Sequence, residues 1–469
     1  MASVHAQLDG AVNVYIMDHR GTGRSTRLDC SEASTTASMW GSEVKPSVVG
    51  DCAKELATKY GDLSSFSTTS AATDVAFFIS EHTNGENTIV FGWSYGTALA
   101  ERLMHLDPPG VTGYVLDGIA SSSGAPGERF PYYSTWDTDF GEVADRFLAL
   151  CEQDEEISAR FTKKGLSGTI QHLITKLDRD PESTCAKLIK DFKIDNGVSS
   201  IEPPSFSLRR ALGTLLSDAD MRTLIPPVVY RLNRCASKDI PVLGQLVAAL
   251  KSNINTTIED VDYQSSLLFN LITFSEMWEM PAPSMSKMKK RFTDVLISDT
   301  GIYDSTELYC AFSKEESRAC AKFTFGNYDA NPLIYERDEY WNKSAVIPSQ
   351  ASVLLLSSKL DTQAPHKYAE YLVGALNGGD KELVSFDYAT TGIVDWAQLA
   401  TGGITCGMEL LVSYVKNGGD LEMLDKSCLD EMPELNLTIS TDYVQSYMLT
   451  TDAYDGKYDS DLSSAQLDK

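Results

Sequence analysis

The chain has 469 residues, 66 acidic against 40 basic side chains, and a formal net charge of −26 at pH 7. With no basic stripe to neutralise phosphates, this balance excludes a nucleic-acid binder, and no apolar run reaches the ~20 residues that a membrane-spanning helix needs. The nine cysteines follow no zinc-ligand or CxxC spacing and no phosphate-cradling glycine loop occurs, so neither a metal nor a cofactor is expected.

In chain order, residues 12–17 read as a strand, and Asp18-His19-Arg20-Gly21-Thr22-Gly23-Arg24-Ser25 forms the loop that leaves it. Gly21-Thr22-Gly23 lacks a third glycine and is no dinucleotide fingerprint. Thr88-Ile89-Val90-Phe91 is a second apolar strand, and Thr97 opens a helix-like run to Leu106. Between them stands Gly92-Trp93-Ser94-Tyr95-Gly96, a serine on a sharp strand-to-helix turn. Such a turn lifts the hydroxyl clear of the backbone, the flanking glycines relieve its crowding, and the helix points its first amides at an oxyanion. Ser94 is the candidate nucleophile and the Tyr95 amide the candidate oxyanion donor.

The flexible run 121–127 marks a crossover into a long insertion over 121–348. Its amphipathic helical patterns fall at 140–151, 170–177, 208–216, 225–232 and 243–250, punctuated by Pro203-Pro204, Pro226-Pro227 and Pro281 to Pro283. The basic patches 160–164 and 287–291 are read as solvated helix faces.

Ser352-Val353-Leu354-Leu355-Leu356 is a short, continuously apolar strand of the kind buried on both faces. Asp361 lies just past its carboxyl end, where an acid that orients a base belongs, and 366–376 follows as a helix after Pro365. The last core strand is read over 382–388 and ends in Ala389-Thr390-Thr391-Gly392. Residues 440–469, rich in Asp, Ser and Tyr, read as a partly ordered acidic extension. The boundaries are therefore 1–120 for the first part of the core, 121–348 for the lid, 349–440 for the second part, and 441–469 for the tail.

Three stretches, Asp18 to Ser25, Gly92 to Gly96, and Lys359-Leu360-Asp361-Thr362-Gln363-Ala364-Pro365, together resemble the α/β-hydrolase serine peptidases of the prolyl iminopeptidase and tripeptidyl aminopeptidase type. The likeness runs from about residue 10 to about residue 440, and extends to the branch with a cysteine-bearing carboxyl-terminal segment. It implies an α/β fold with a mostly parallel sheet, a helical lid that shapes the pocket, and removal of residues from peptide amino termini through an acyl-enzyme at Ser94. A peptide, or a small ester or amide, is the implied substrate. Asp18, Arg20, Gly21 and Gly23 are implied as a supporting loop.

The chain departs from that family twice. A histidine is expected after the last strand, and Thr391 occupies its frame; none of the six histidines (His5, His19, His82, His105, His172, His366) lies beyond position 366. Threonine can neither take nor return the serine proton near neutral pH. His19 and His366 are read as structural. The second departure is that the family's three earlier strands and its second oxyanion loop would precede residue 12, through an internal start of the reading frame or a genuine loss. The favoured reading is thus an inactive or strongly impaired copy. Its rivals are a working hydrolase with an unidentified base, and a non-catalytic protein that holds peptides in the lid pocket.

The resembled enzymes are extracellular, whereas residues 1–10 lack the apolar length of a secretory signal, so the chain read literally is cytoplasmic. Cys30 with Cys52, Cys310 with Cys320, and Cys406 with Cys428 are close enough to bridge short loops, which resembles the secreted relatives; the odd count leaves at least one cysteine over. Asn255, Asn342 and Asn436 each begin a glycosylation triplet. Asp218, Asp220, Glu259 and Glu276 are among the lid acids, and no amine-gripping residue is assigned among them.

Overall fold

The computed structural model describes residues 2–31, 37–38, 41–42, 44–83, 87–192, 202–256 and 264–462. The chain divides into two compact units: 1–135, 260–285 and 305–434 form the first, and 136–259, 286–304 and 435–469 the second. Residues 121–135, 260–285 and 305–348, read from sequence as insertion, group with the sheet.

The first unit is built on four parallel strands in the order β1 (Thr88–Trp93), β2 (Val111–Asp117), β3 (Ser352–Ser358) and β4 (Lys381–Phe386). Their register aligns Trp93 with Asp117, Asp117 with Leu356, and Ser358 with Phe386, so all carboxyl ends open on one edge. β3 is buried along its whole length, as its unbroken apolar run dictates. Alternation sorts the strand side chains to two cores: Val115, Leu354, Leu356 and Val384 face one way, while Tyr114, Leu116, Val353 and Leu355 face the other. Helices α1 (Thr68–His82), α2 (Tyr95–Leu106) and α3 (His366–Ala375) send Ala72, Leu103 and Leu372 into the second core. Residues 393–396 form a short turn of helix, and α4 (Cys406–Lys416) brings Leu410 and Tyr414 into the first.

The expected strand over 12–17 is not formed. Val12 and Val14 pack against the first core, but Tyr15, Ile16 and Met17 are 49 %, 76 % and 42 % exposed. The physical reason is pairing: a strand needs a neighbour's edge, and among the described residues no strand lies beside the outer edge of β1.

In the second unit the five expected helical patterns fall within Trp136–Gln153, Gly165–Arg179, Pro204–Leu216, Ile225–Arg234 and Asp239–Thr256. Within the extension read over 440–469, Thr441–Met448 is a helix, capped by the Ser440 side chain on the Tyr443 amide. Beyond it, the wholly buried Arg231 donates to the carbonyls of Ala453 (Nε), Asp452 (2.9 Å) and Gly456 (3.0 Å) and to Asp239 (3.0 Å). Composition concealed this latch because it runs through backbone carbonyls, which every sequence has.

The three cysteine pairs named from spacing stand at disulfide distance, with Cα separations of 5.4, 5.3 and 5.3 Å, and Cys185 with Cys235 adds a fourth at 6.2 Å. Cys151 is the free cysteine; its burial pushes the thiol up to about 12, so it carries no thiolate at neutral pH. No described helix is long and apolar enough to cross a membrane.

Candidate active site

β1 ends by turning Ser94 into φ 53°, ψ −121°, a conformation that costs a non-glycine residue about 1–3 kcal/mol and persists only where its surroundings hold it. They do so here. The Ser94 amide donates to the Asp117 carbonyl (2.9 Å), while the Thr97 amide and hydroxyl both donate to the Ser94 carbonyl (2.9 and 2.7 Å). The Thr97 oxygen in turn accepts from the Ala120 amide (2.8 Å), tying the elbow to the exit of β2. The two flanking glycines are unequal. A Cβ on Gly92 would stand 2.3 Å from the Gly96 carbonyl oxygen, whereas one on Gly96 would meet nothing within 4 Å outside its own helix. Only Gly92 relieves crowding. The Tyr95 amide lies in the first turn of α2, where amides have no intrahelical acceptor and the helix dipole favours negative charge.

The neighbouring strand ends carry carboxylates. Asp117, at the end of β2, accepts the Ile393 and Val394 amides (2.9 Å each) and so pins the loop after β4 to the centre of the sheet. Burial pushes it up to about 6. Asp361, three residues past β3, is wholly buried; its Oδ1 accepts the Gln363 and Ala364 amides (2.9 Å each), and its Oδ2 has no hydrogen bond of ordinary length. Burial pushes Asp361 up to about 7, the negative charge of Asp117 adds to the rise, and the two amides and the nearby Thr391 hydroxyl offset only part of it. Thr391 lies beside this free oxygen: a Cβ on Gly118 would be 3.6 Å from Asp361 Oδ2 and 3.6 Å from Thr391 Oγ1. One residue on, a Cβ on Gly392 would sit 3.0 Å from Trp396 and 3.5 Å from the Trp93 indole nitrogen. The elbow, the acid and the threonine therefore share one edge of the sheet.

With strand order, strained serine and aligned carboxyl ends in hand, one comparison decides the fold: a protein-family model described as the alpha/beta hydrolase fold matches residues 6–159. The chain has an α/β-hydrolase fold. No curated protein matches it.

Within this α/β-hydrolase scaffold the Asp18 loop is self-supporting. The Arg24 amide and Ser25 hydroxyl donate to the Asp18 carboxylate and carbonyl (2.9 Å each), and Gly23, at φ 55°, lies where a Cβ would strike that carboxylate at 2.6 Å. Gly21 has φ 90° and its carbonyl accepts the Leu28 amide (2.9 Å). Arg20 makes a two-pronged contact with Asp74 (2.6 and 2.5 Å) and also donates to the Ser65 carbonyl. His19 bonds the Arg20 carbonyl (2.6 Å) and the Tyr95 hydroxyl (3.2 Å), and burial lowers its pKa. His366 faces the Ser357 and Ser385 hydroxyls (3.1 and 3.5 Å). Both imidazoles are held by these partners.

Next to the elbow, a cavity is lined by Thr68, Tyr95, Glu101, Arg102, Glu276 and Trp341, among others. Arg102 and Glu276 form a buried ion pair (3.0 Å), and Glu276 also accepts the Thr68 amide (3.2 Å) and the Tyr335 hydroxyl (2.7 Å). Of the acids considered from sequence, Glu276 is thus already neutralised, Asp218 caps a turn on the Asp220 and Met221 amides (2.9 and 2.8 Å), Asp220 accepts from Tyr443 (3.2 Å), and Glu259 lies outside the described residues. Sequence reading missed Asp117 and Glu101. Glu101 is buried, accepts the Ser122 amide (3.2 Å), and is pushed by burial up to about 7. The signal for it was an acid set inside the apolar run 97–106, and for Asp117 an acid closing 111–117.

Proposed function

We propose that this chain is a serine hydrolase of the exopeptidase kind, built to remove residues from peptide amino termini through an acyl-enzyme at Ser94, and that this copy is inactive or strongly impaired. The observation that carries the reading is the serine held in a strained elbow on the same sheet edge as the buried, half-partnered Asp361, with Thr391 beside that acid. Asp361 would orient a base, the Tyr95 amide would meet the oxyanion, and the Asp18 to Ser25 loop, with Arg20, Gly21 and Gly23, would support them. A base is what Thr391 fails to supply. Loss of a triad member removes several powers of ten in rate, on the order of a million-fold in one well-studied protease. The four cysteine pairs support an extracellular setting, where disulfides persist.

The test is the substitution Thr391→His. A fluorophosphonate probe is expected to label Ser94 in that variant and not in the parent chain, with Ser94→Ala as the blank and circular dichroism as the check that each is folded. Equal labelling of parent and variant would overturn the impairment. In the labelled variant, faster cleavage of peptides with a free amino terminus than of their acetylated forms supports exopeptidase action, and the reverse order would overturn it.

A further inference from the structure

Asp361 poses a chemical question that its own loop does not answer. The side chain is wholly buried, two amides occupy Oδ1, and Oδ2 has no hydrogen bond of ordinary length, only the Thr391 hydroxyl near it. A buried acceptor left in this state is unfavourable, so a donor that reaches it binds with that cost relieved. The half-buried Thr391 stands beside Oδ2, and the next residue, Gly392, is flanked by Trp93 and Trp396, whose indoles are 48 % and 61 % exposed. Large exposed aromatic faces next to a buried acceptor suit a small, flat ring that carries one N–H and one lone pair.

We propose that the notch formed by Asp361, Thr391 and the two indoles binds an imidazole ring from outside the chain, and that this ring serves Ser94 as its base. The inference rests on the serine-hydrolase reading. In the step it supplies, the ring N–H bonds Asp361 Oδ2 while its other nitrogen takes the Ser94 proton as the Oγ–C bond forms on the substrate carbonyl. The imidazolium then hands that proton to the leaving amine as the C–N bond breaks. Water repeats the sequence on the acyl-enzyme, giving its proton to the ring and leaving the acid, and the ring returns the proton to Ser94. Nothing is consumed but water and substrate. The ring has two sources with the same chemistry, free imidazole or the histidine side chain of a bound peptide.

The test measures fluorophosphonate labelling of Ser94 in the parent chain against rising imidazole, with 1-methylimidazole as a base of similar strength that has no N–H for Asp361. Imidazole is expected to raise the labelling rate about a hundredfold, the scale of general-base catalysis, and to saturate. 1-Methylimidazole is expected to do neither, and Asp361→Asn to remove the saturation. Peptides with and without histidine replace free imidazole in a second arm: stimulation by the histidine peptide assigns the side chain as the source, and stimulation by imidazole alone assigns the free ring. If Thr391→His labels while imidazole leaves the parent chain unlabelled, the notch proposal falls and the serine-hydrolase reading stands. A linear response shared by 1-methylimidazole and by Asp361→Asn would also overturn it, as the mark of a base acting from solution. Failure of Thr391→His itself to label, in a folded protein, removes both.

Discussion

At Ser94 two glycines that look alike in sequence differ in what they permit. Gly92 lets the β1 backbone pass the first turn of α2, where a Cβ would lie 2.3 Å from a carbonyl oxygen that cannot swing away. Gly92→Ala is therefore expected to cost about 2–4 kcal/mol, the range of overpacked or strained sites, read from the denaturant midpoint. Gly96 is helical and unopposed, so Gly96→Ala is expected to be neutral or to stabilise by up to about 1 kcal/mol through the lower backbone entropy of the unfolded chain. Comparable losses for both would show that the elbow is crowded on both sides, as the sequence pattern alone suggests. The serine itself was legible because a strand, a turn and a helix are local patterns. The state of Asp361 was not: its burial and its free oxygen depend on residues 117, 118 and 391, which are far from it in the chain.

Elements follow the same division. Strands β1, β3 and β4 and the helices of the second unit were readable, since apolar period and length are properties of short windows. The segment 12–17 has a strand's composition and yet forms none, because pairing belongs to two segments at once. The carboxyl-terminal stretch is polar in composition and yet latched by Arg231 through three carbonyls. Arg231→Ala would leave Asp239 and those carbonyls in the interior with one fewer partner. The expected cost is about 3–5 kcal/mol, the scale of a broken buried ion pair. Limited proteolysis should then cut first within 449–462; an unchanged cleavage pattern would mean that the helix Thr441–Met448 holds this stretch without the latch.

For the molecule as a whole, charge sets the response to pH. Burial raises Asp361, Glu101 and Asp304 to about 7 and Asp117 and Asp299 to about 6, from ordinary values near 4. Each of these groups holds its proton longer folded than unfolded. Its contribution to stability is therefore full below about pH 4 and is lost as pH rises through about 6 to 7. Self-repulsion at a net charge of −26 acts in the same direction. The unfolding temperature is expected to be higher at pH 5 than at pH 8, and added salt to recover part of the loss at pH 8. Asp361→Asn should match the parent at pH 5 and exceed it at pH 8, because only at the higher pH does the substitution remove a buried charge. A parent chain that is more stable at pH 8 would show that these carboxyls are better solvated than their burial implies.

By itself the sequence determined the local grammar of this protein: a serine on a strand-to-helix turn, an acid after a buried strand, and cysteines close enough to bridge. Each is written in a window of about two dozen residues or fewer, where backbone preference, apolar period and chain reach act directly. Only the tertiary structure decided that Asp117 pins the loop after β4, that Asp361 keeps one oxygen free beside Thr391, and that residues 12–17 stay unpaired. Burial, pairing and pKa are properties of neighbours in space, and the fold chooses those neighbours from distant parts of the chain.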